Sequence, residues 1–216
     1  MDIVYADNRI VVAVKPAGII STEVPGGAPE LLRAQLGTDC IRTVHRLDAQ
    51  VSGLMVFARS AVAASLLSRQ IREGIFHKAY LAVVHGAPPE TGTLCDLLGR
   101  NRPRRYTFVA QTPGKGIREA RLSYRVLDRR EGYSLVSICL ETGRTHQIRV
   151  QFASRGWHLV GDRKYGLGGE DIPIALWSRG LAFTHPETGA PLDFTLQPPR
   201  TEPWTWFDAA LFSPEN

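Results

Sequence analysis

Cysteine is scarce in this chain, with only Cys40, Cys95 and Cys139 among 216 residues. No two of them have the close spacing of metal ligands, and an odd, sparse count argues against a disulfide framework. The Pro-Cys-x-x-Cys stretch with which nucleobase deaminases bind zinc does not occur. We therefore predict no metal site, and a zinc-dependent deaminase is excluded.

Long apolar runs are also missing. No segment approaches the roughly 18 consecutive apolar residues of a membrane-spanning helix, and the N-terminus has no signal-like apolar segment. The 44% of hydrophobic residues is nevertheless enough for a substantial core. We expect a cytoplasmic protein in a reducing compartment, with no membrane partner.

Lysine is the scarce basic residue. Of the 26 basic residues four are lysines and 22 are arginines, against 21 acidic residues, which gives a net charge of +5. The planar guanidinium suits phosphates and base edges better than an ammonium does. The arginine bias is compatible with a nucleic-acid partner, although a GC-rich genome would produce the same bias.

The densest group of reactive side chains is His45-Arg46-Leu47-Asp48, which is followed by Ser52-Gly53-Leu54. An arginine and a histidine beside the aspartate should keep it ionised, because nearby positive charge favours the charged form of a carboxylate. An ionised aspartate can act as a nucleophile or as a base. A surface ion pair would also explain the tetrapeptide. A second dense stretch, Gly143 to Arg149, lies about ninety residues further on.

The order of several short segments identifies a family. Besides the two stretches above, the segments are Lys15-Pro16-Ala17-Gly18, Lys78-Ala79-Tyr80, Leu159-Val160-Gly161-Asp162, Lys164-Tyr165-Gly166 and residues 181–186. Together they resemble the RluA family of pseudouridine synthases, and the resemblance runs from the first strand to about residue 197. The chain is similar to the short members of the family, which consist of the catalytic domain without an S4-type RNA-binding domain.

The resemblance implies an enzyme that isomerises uridine to pseudouridine in ribosomal or transfer RNA. It assigns Asp48 as the catalytic carboxylate, Arg149 as its partner and Tyr80 as the ring that stacks on the flipped base. Whether Asp48 attacks ribose C1′ or removes a proton from C2′ stays open. The reaction is an internal rearrangement, so we expect no cofactor.

RNA is the expected partner of a monomeric protein with no obligate protein partner. Residues predicted to bind RNA are His45, Arg46, Lys78, Arg102, Arg104, Arg105, Arg144 and His146. By the resemblance, Arg46 enters the gap that the flipped base leaves. Arg144 and His146 lie near a predicted helix N-terminus, where free amides suit phosphate. The run Arg100 to Arg105 is either a solvated loop or a phosphate-binding flap.

The apolar pattern predicts strands at residues 3–5, 10–14, 54–58, 75–85, 106–110, 119–127 and 133–140, and a final hairpin over 179–196. Helices are predicted from Pro29 to Gly37, from the cap Ser60 to Arg72, and from His146 to Arg155. Strands in runs with few helices favour an α+β fold with a mixed, mainly antiparallel sheet, in one catalytic domain over residues 1–216.

Two alternatives remain open at this stage. A non-catalytic RNA-binding protein could keep the fold, although the intact Asp48, Tyr80 and Arg149 count against it. A glycoside hydrolase would need a second carboxylate near Asp48, and Asp162 is the only motif-like candidate. Val51 stands where the family usually has threonine, which leaves the local loop geometry in question.

Overall fold

The computed structural model of the protein describes residues 1–212. The chain forms two compact units, one of Met1–Lys78 with Trp177–Gln197 and one of Ala79–Leu176 with residues 198–212. The boundary between the units falls within a strand, β5 (His77–His85). The prediction of a single catalytic domain stays a prediction.

The first unit is built on a mixed sheet in the order β1-β2-β4-β10, with β11 paired to β10 and β3 to β4. Its strands are β1 (Asp2–Ala6), β2 (Ile10–Lys15), β3 (Arg42–Thr43), β4 (Ser52–Ala58), β10 (Leu176–Thr184) and β11 (Pro191–Thr195). The β4–β10 pair is parallel, whereas β2 and β4 are antiparallel. Both β2 and β4 are almost fully buried, so their continuous apolar sequences form the core of this unit.

Two helices of the first unit begin and end within one residue of the predicted bounds. α1 (Ala28–Leu36) has proline in its first turn and a left-handed Gly37 at its end. α2 (Ala61–Glu73) begins at Ser60, whose side chain accepts a hydrogen bond from the Ala63 amide, and it ends at a left-handed Gly74. Ala63 and Leu67 of α2 pack against the sheet core.

Gly53 lies at the start of β4, where the parallel partner strand comes very close. Its φ of 120° lies in the left-handed region, and a Cβ atom at this position would lie 2.4 Å from the Ser178 carbonyl oxygen. No other residue fits here without moving the backbone. The glycine of the Ser52-Gly53 pair is therefore required by the junction of β4 with β10.

The second unit is a sheet in the order β5-β9-β8-β6-β7 with one helix against it, and the β9–β8, β8–β6 and β6–β7 pairs are antiparallel. Its further elements are β6 (Thr91–Asn101), β7 (Tyr106–Ala110), β8 (Arg118–Arg130), β9 (Tyr133–Leu140), α3 (Gln147–Ala153) and two short 3-10 helices, Trp204–Trp206 and Ala209–Phe212. Val150 of α3 packs with Leu98 and Ala120. The predicted α+β fold with a mixed, mainly antiparallel sheet is confirmed.

Three features differ from the predictions. The eleven-residue strand β6 and the short β3 were not predicted, and β6 includes Arg100, the first residue of the predicted arginine loop. Helix α3 is shorter at both ends than predicted. At its start, His146 adopts a left-handed conformation with φ of 55° and cannot belong to the helix.

Within residues 1–212 no helix is long and apolar enough to cross a membrane.

Candidate active site

The main chain on both sides of Asp48 is held by hydrogen bonds to an earlier loop. The Ser21 hydroxyl donates to the Leu47 carbonyl oxygen at 2.7 Å and accepts from the Leu47 amide at 3.1 Å. The Ala49 carbonyl oxygen accepts from the Gly18 amide at 2.8 Å and from Lys15 Nζ at 3.0 Å. Because both neighbours of Asp48 are fixed, the backbone that carries this carboxylate is preorganised.

Lys15 is completely buried at the end of β2. Its ammonium donates to three carbonyl oxygens, those of Pro16 at 2.7 Å, Ile19 at 2.9 Å and Ala49 at 3.0 Å. Burial lowers the pKa of Lys15 to about 8, and the negative charge of Asp48 partly opposes this shift. The first matched segment, Lys15 to Gly18, thus supports the Asp48 segment, a role that the sequence did not suggest.

Val51 also belongs to this support. Its side chain is buried and its amide donates to the Asp48 carbonyl oxygen at 3.0 Å. A buried site accepts valine without leaving a hydroxyl unpaired, so the valine is compatible with a closed turn after Asp48.

His45 is neutral in this structure. Its Nε2 accepts a hydrogen bond from the Val56 amide at 3.1 Å, and its ring lies 5.5 Å from that of Phe76. Burial, together with the nearby charge of Lys78, lowers the pKa of His45 to about 3. The positive neighbour that the sequence analysis expected beside Asp48 is therefore not His45, and Lys15 provides a positive charge in its place.

Arg46 and Lys78 are the other predicted RNA-binding residues of the first unit. Arg46 is exposed, whereas Lys78 is only partly exposed at the start of β5. Burial lowers the pKa of Lys78. Among the residues that the structure describes, the Lys78 ammonium has no hydrogen bond and no ion pair.

In the second unit, Arg149 is buried in α3 with only 7% of its surface exposed. Its Nε lies 2.8 Å from Asp162 Oδ2 and its Nη2 lies 2.7 Å from Asp162 Oδ1. The guanidinium also lies over the Tyr165 ring, 5.2 Å from the ring centre. This two-point ion pair fixes the direction of the guanidinium.

Asp162 stays ionised within this pair. Burial would raise its pKa, but Arg149 and the amides of Lys164 and Tyr165 together lower it. A glycoside hydrolase needs one carboxylic acid with a raised pKa to protonate the leaving group. Asp162 has the opposite shift, so the only candidate that the sequence offered for that acid does not fit the role.

The segment from Asp162 to Tyr165 connects several predicted site residues. The Tyr165 hydroxyl lies 2.7 Å from His146 Nδ1 and accepts from the Thr107 amide at 2.9 Å. Arg144 is exposed and donates through Nε to the Glu119 carbonyl oxygen at 2.8 Å. Asp162 and Tyr165 belong to segments that resemble the family, but the sequence analysis assigned them no role in it. In the structure Asp162 holds Arg149, and Tyr165 contacts His146.

The predicted flap is the end of the β6–β7 hairpin. Its tip is closed by hydrogen bonds from the Arg104 amide to Asn101 Oδ1 and from the Arg105 amide to the Arg102 carbonyl oxygen, both at 3.1 Å. Four arginine side chains at this tip are exposed: Arg100, Arg102, Arg104 and Arg105. Within residues 1–212 none of them is paired with a carboxylate, which leaves them available to phosphate.

The predicted residues are divided between the two units. His45, Arg46, Asp48 and Lys78 lie in the first unit, and the remaining ones lie in the second. The second group includes Tyr80, which is 5% exposed in β5. In the described part of the chain, no three His, Cys, Asp or Glu side chains are grouped so that they could hold a metal ion.

Known proteins resemble both the sequence and the fold. Residues 9–154 match the family model described as RNA pseudouridylate synthase. An uncharacterized RNA pseudouridine synthase of Chloroflexus aurantiacus is 42% identical over 155 residues, which cover 70% of this chain and 48% of that protein. Ribosomal large subunit pseudouridine synthase D of Neisseria meningitidis serogroup A is 34% identical over 216 residues, or 90% of this chain and 57% of that protein.

Among solved structures, Human RNA Pseudouridylate Synthase Domain Containing 1 superposes with a TM-score of 0.79 at 25% identity, over 99% of this chain and 88% of the human chain. The two bacterial relatives are longer, and this chain spans about half of their length.

Proposed function

The chain belongs to the RNA pseudouridylate synthase family, and we propose that it isomerises uridine to pseudouridine in a structured RNA, with Asp48 as the catalytic carboxylate. The observation that supports this most directly is the fixed backbone around Asp48. Ser21 holds Leu47, and Lys15 and Gly18 hold Ala49. A catalytic group gains most when it is oriented before the substrate arrives.

The proposed reaction breaks the bond from ribose C1′ to uracil N1, turns the base and joins C1′ to C5. The proton on C5 is lost and N1 gains one, so no atom is imported and no electron is transferred. Asp48 must be ionised whether it attacks C1′ or removes a proton from C2′, and we favour the C2′ route that the family resemblance suggests. The Lys15 ammonium supplies a positive charge near this carboxylate.

We further propose that Arg149 is the ion-pair partner of Asp48 and that Tyr80 stacks on the extruded uracil. The two-point hold by Asp162 supports the first role, because it keeps the guanidinium in one direction. The flat aromatic ring of Tyr80 supports the stacking role, since an extruded base recovers part of its lost stacking on such a ring.

Ribosomal or transfer RNA is the proposed substrate, and Arg102, Arg104 and Arg105 are proposed to bind its phosphates. The exposed positions of these arginines support this role, since phosphate contacts supply much of the affinity for nucleic acids. The Neisseria relative is named for the large ribosomal subunit, which makes large-subunit ribosomal RNA the first substrate to test.

Mapping pseudouridine in total RNA from wild-type cells and from cells that lack the gene tests this proposal. We expect one or a few uridines to lose the modification and to regain it on complementation with the wild-type gene. Complementation with Asp48→Asn should not restore it, although that protein should fold and bind RNA. An unchanged map would contradict the proposed activity, and restoration by Asp48→Asn would contradict the role of Asp48.

A further inference from the structure

Two lysines lie close to the segment His45–Asp48 in the first unit, and their surroundings differ sharply. Lys15 uses all three N–H groups on the carbonyl oxygens of Pro16, Ile19 and Ala49. Lys78 is only partly exposed at the start of β5, and this burial lowers the pKa of its ammonium. Within residues 1–212 it makes no hydrogen bond or ion pair. The Lys15 ammonium therefore has all its hydrogen-bond partners, whereas the Lys78 ammonium has none in this part of the chain.

His45, which lies near Lys78, does not provide a hydrogen-bond acceptor for the Lys78 ammonium. The ring of Phe76, two residues before Lys78 in the chain, lies 5.5 Å from the His45 ring. The start of β5 is therefore next to His45, and the charge of Lys78 helps to lower the pKa of the His45 ring. The Nε2 atom of His45 accepts from the Val56 amide, so the neutral ring carries its proton on Nδ1. That buried nitrogen is then a donor without a partner, and it cannot accept a hydrogen bond from an ammonium.

A partly desolvated ammonium is unfavourable until an anion compensates its charge. Lys15 has the negative charge of Asp48 nearby in addition to its three carbonyl oxygens. For Lys78, a neutral carbonyl group would satisfy a hydrogen bond but not the charge, whereas an ionised phosphate satisfies both. The ammonium lies beside His45, three residues before Asp48. The anion that suits it is therefore one that arrives with the reacting nucleotide.

We propose that Lys78 binds a phosphate that flanks the target uridine, an inference that rests on the function proposed above. Lys78 then differs from the arginines of the β6–β7 hairpin, because it contacts one defined phosphate of the reacting nucleotide. Binding of that phosphate would position the ribose against Asp48. Lys78 is thus a substrate-binding residue inside the active site.

The test combines a protein change with a change at one phosphate. The RNA is a synthetic oligonucleotide that contains the uridine identified by the mapping experiment, with a neutral methylphosphonate 5′ or 3′ of that uridine. The proteins are the wild type, Lys78→Met, which keeps the aliphatic stem, and Lys78→Arg, which keeps the charge. Lys115→Met removes one exposed positive charge elsewhere in the chain and is the matched control.

On unmodified RNA we expect Lys78→Met to reduce the single-turnover rate at subsaturating RNA by roughly 10- to 100-fold, the range for a lost charged hydrogen bond. Lys115→Met should change it little, and Lys78→Arg should retain much of the activity. The loss in Lys78→Met should disappear when one of the two phosphates is already neutral. If Lys78→Met lowered the rate by the same factor on both methylphosphonate RNAs as on unmodified RNA, the inference would be overturned and the proposed function would stay intact.

A second measurement keeps the inference testable if no RNA substrate emerges or if Lys78→Met fails to fold. The chain has only four lysines, so reductive methylation with ¹³C gives a small set of NMR signals that lysine variants can assign. Titration with uridine 5′-monophosphate should shift the Lys78 signal and raise the pKa of its amine, whereas uridine should do neither. An unchanged Lys78 signal with the nucleotide would contradict the phosphate site.

Discussion

Arg149 and Asp162 form a buried two-point ion pair, with Nε to Oδ2 at 2.8 Å and Nη2 to Oδ1 at 2.7 Å. The Asp162 side chain is completely buried, and its Oδ1 also accepts from the amides of Lys164 and Tyr165. The carboxylate therefore joins helix α3 to the turn that follows Val160. This arrangement makes Asp162 a positioning residue for Arg149.

Asp162→Asn should lower both stability and activity. It removes the two-point carboxylate partner of the buried Arg149 guanidinium, which we expect to cost about 3 kcal/mol of unfolding free energy. Denaturant unfolding measures this loss. The matched control is Glu187→Gln at the exposed pair with Arg9, which should cost less than about 1 kcal/mol. Equal losses in the two variants would contradict the structural role of Asp162.

The acid sensitivity of the first unit should depend on Asp7. Burial would raise the pKa of Asp7, but hydrogen bonds from the amides of Arg9 and Ile10 and from the side chains of Tyr5 and His185 lower it from 3.8 to about 2. A carboxylate with a lowered pKa stabilises the fold at any pH above the pKa of that group in the unfolded chain. This contribution is lost as the pH falls through the pKa of the group in the folded protein. The stability difference between wild type and Asp7→Asn should therefore be constant above pH 4 and shrink between about pH 4 and 2. A difference that does not change with pH in urea titrations would contradict this account.

Ser21→Ala should slow catalysis more than it weakens RNA binding. The substitution removes both hydrogen bonds that hold Leu47, so the backbone before Asp48 gains freedom while the arginines proposed to bind RNA are untouched. We expect about 1–3 kcal/mol of destabilisation, because two buried main-chain groups lose their partner. Ser154→Ala, which removes a hydrogen bond to Gln151 at the end of α3, is the control for a serine distant in sequence from Asp48. A fall in affinity with an unchanged rate at saturation would argue against positioning by Ser21.

Tyr80 and the hairpin arginines should differ in their kinetic signatures. Tyr80→Ala should reduce the single-turnover rate at saturating RNA with a small change in affinity, since stacking acts after the base is extruded. Replacement of Arg102, Arg104 and Arg105 by alanine should weaken binding to many RNAs alike and flatten the salt dependence by about one ion per lost contact. If the arginine variant lost rate at saturation and kept its salt slope, the hairpin would belong to the catalytic site.

The sequence predicts best what local interactions determine. Ser60 and Gly74 delimit α2 because a cap and a left-handed glycine act within one helical turn. Strand β6 was missed because its sequence contains two glycines and few β-branched residues, and its register along β8 supplies the stabilisation instead. Such pairing between distant segments leaves little trace in a short window of sequence.

The same distinction applies to the site. The family resemblance supplied Asp48, Tyr80 and Arg149, but not the residues that hold them. Ser21 contacts Leu47 across 26 positions of the chain, a distance at which no periodic pattern connects them. The charge of His45 was also wrongly expected, because neutrality of the ring depends on burial and on Lys78. Burial of this kind is decided by the whole fold.

The parallel junction of β4 with β10 has a consequence for synthesis of the protein on the ribosome. Ser178 of β10 donates to the Leu54 carbonyl oxygen at 2.9 Å across 124 positions of the chain. β3 covers the far end of this edge of β4, at Phe57 and Ala58. The beginning of β4, which pairs with β10, has its edge open until nearly all of residues 79–176 have been translated. An open edge of apolar residues invites pairing with other chains. Slow translation before residue 177 would lengthen that exposure. Folding of this protein should therefore depend on chaperones more than its size suggests.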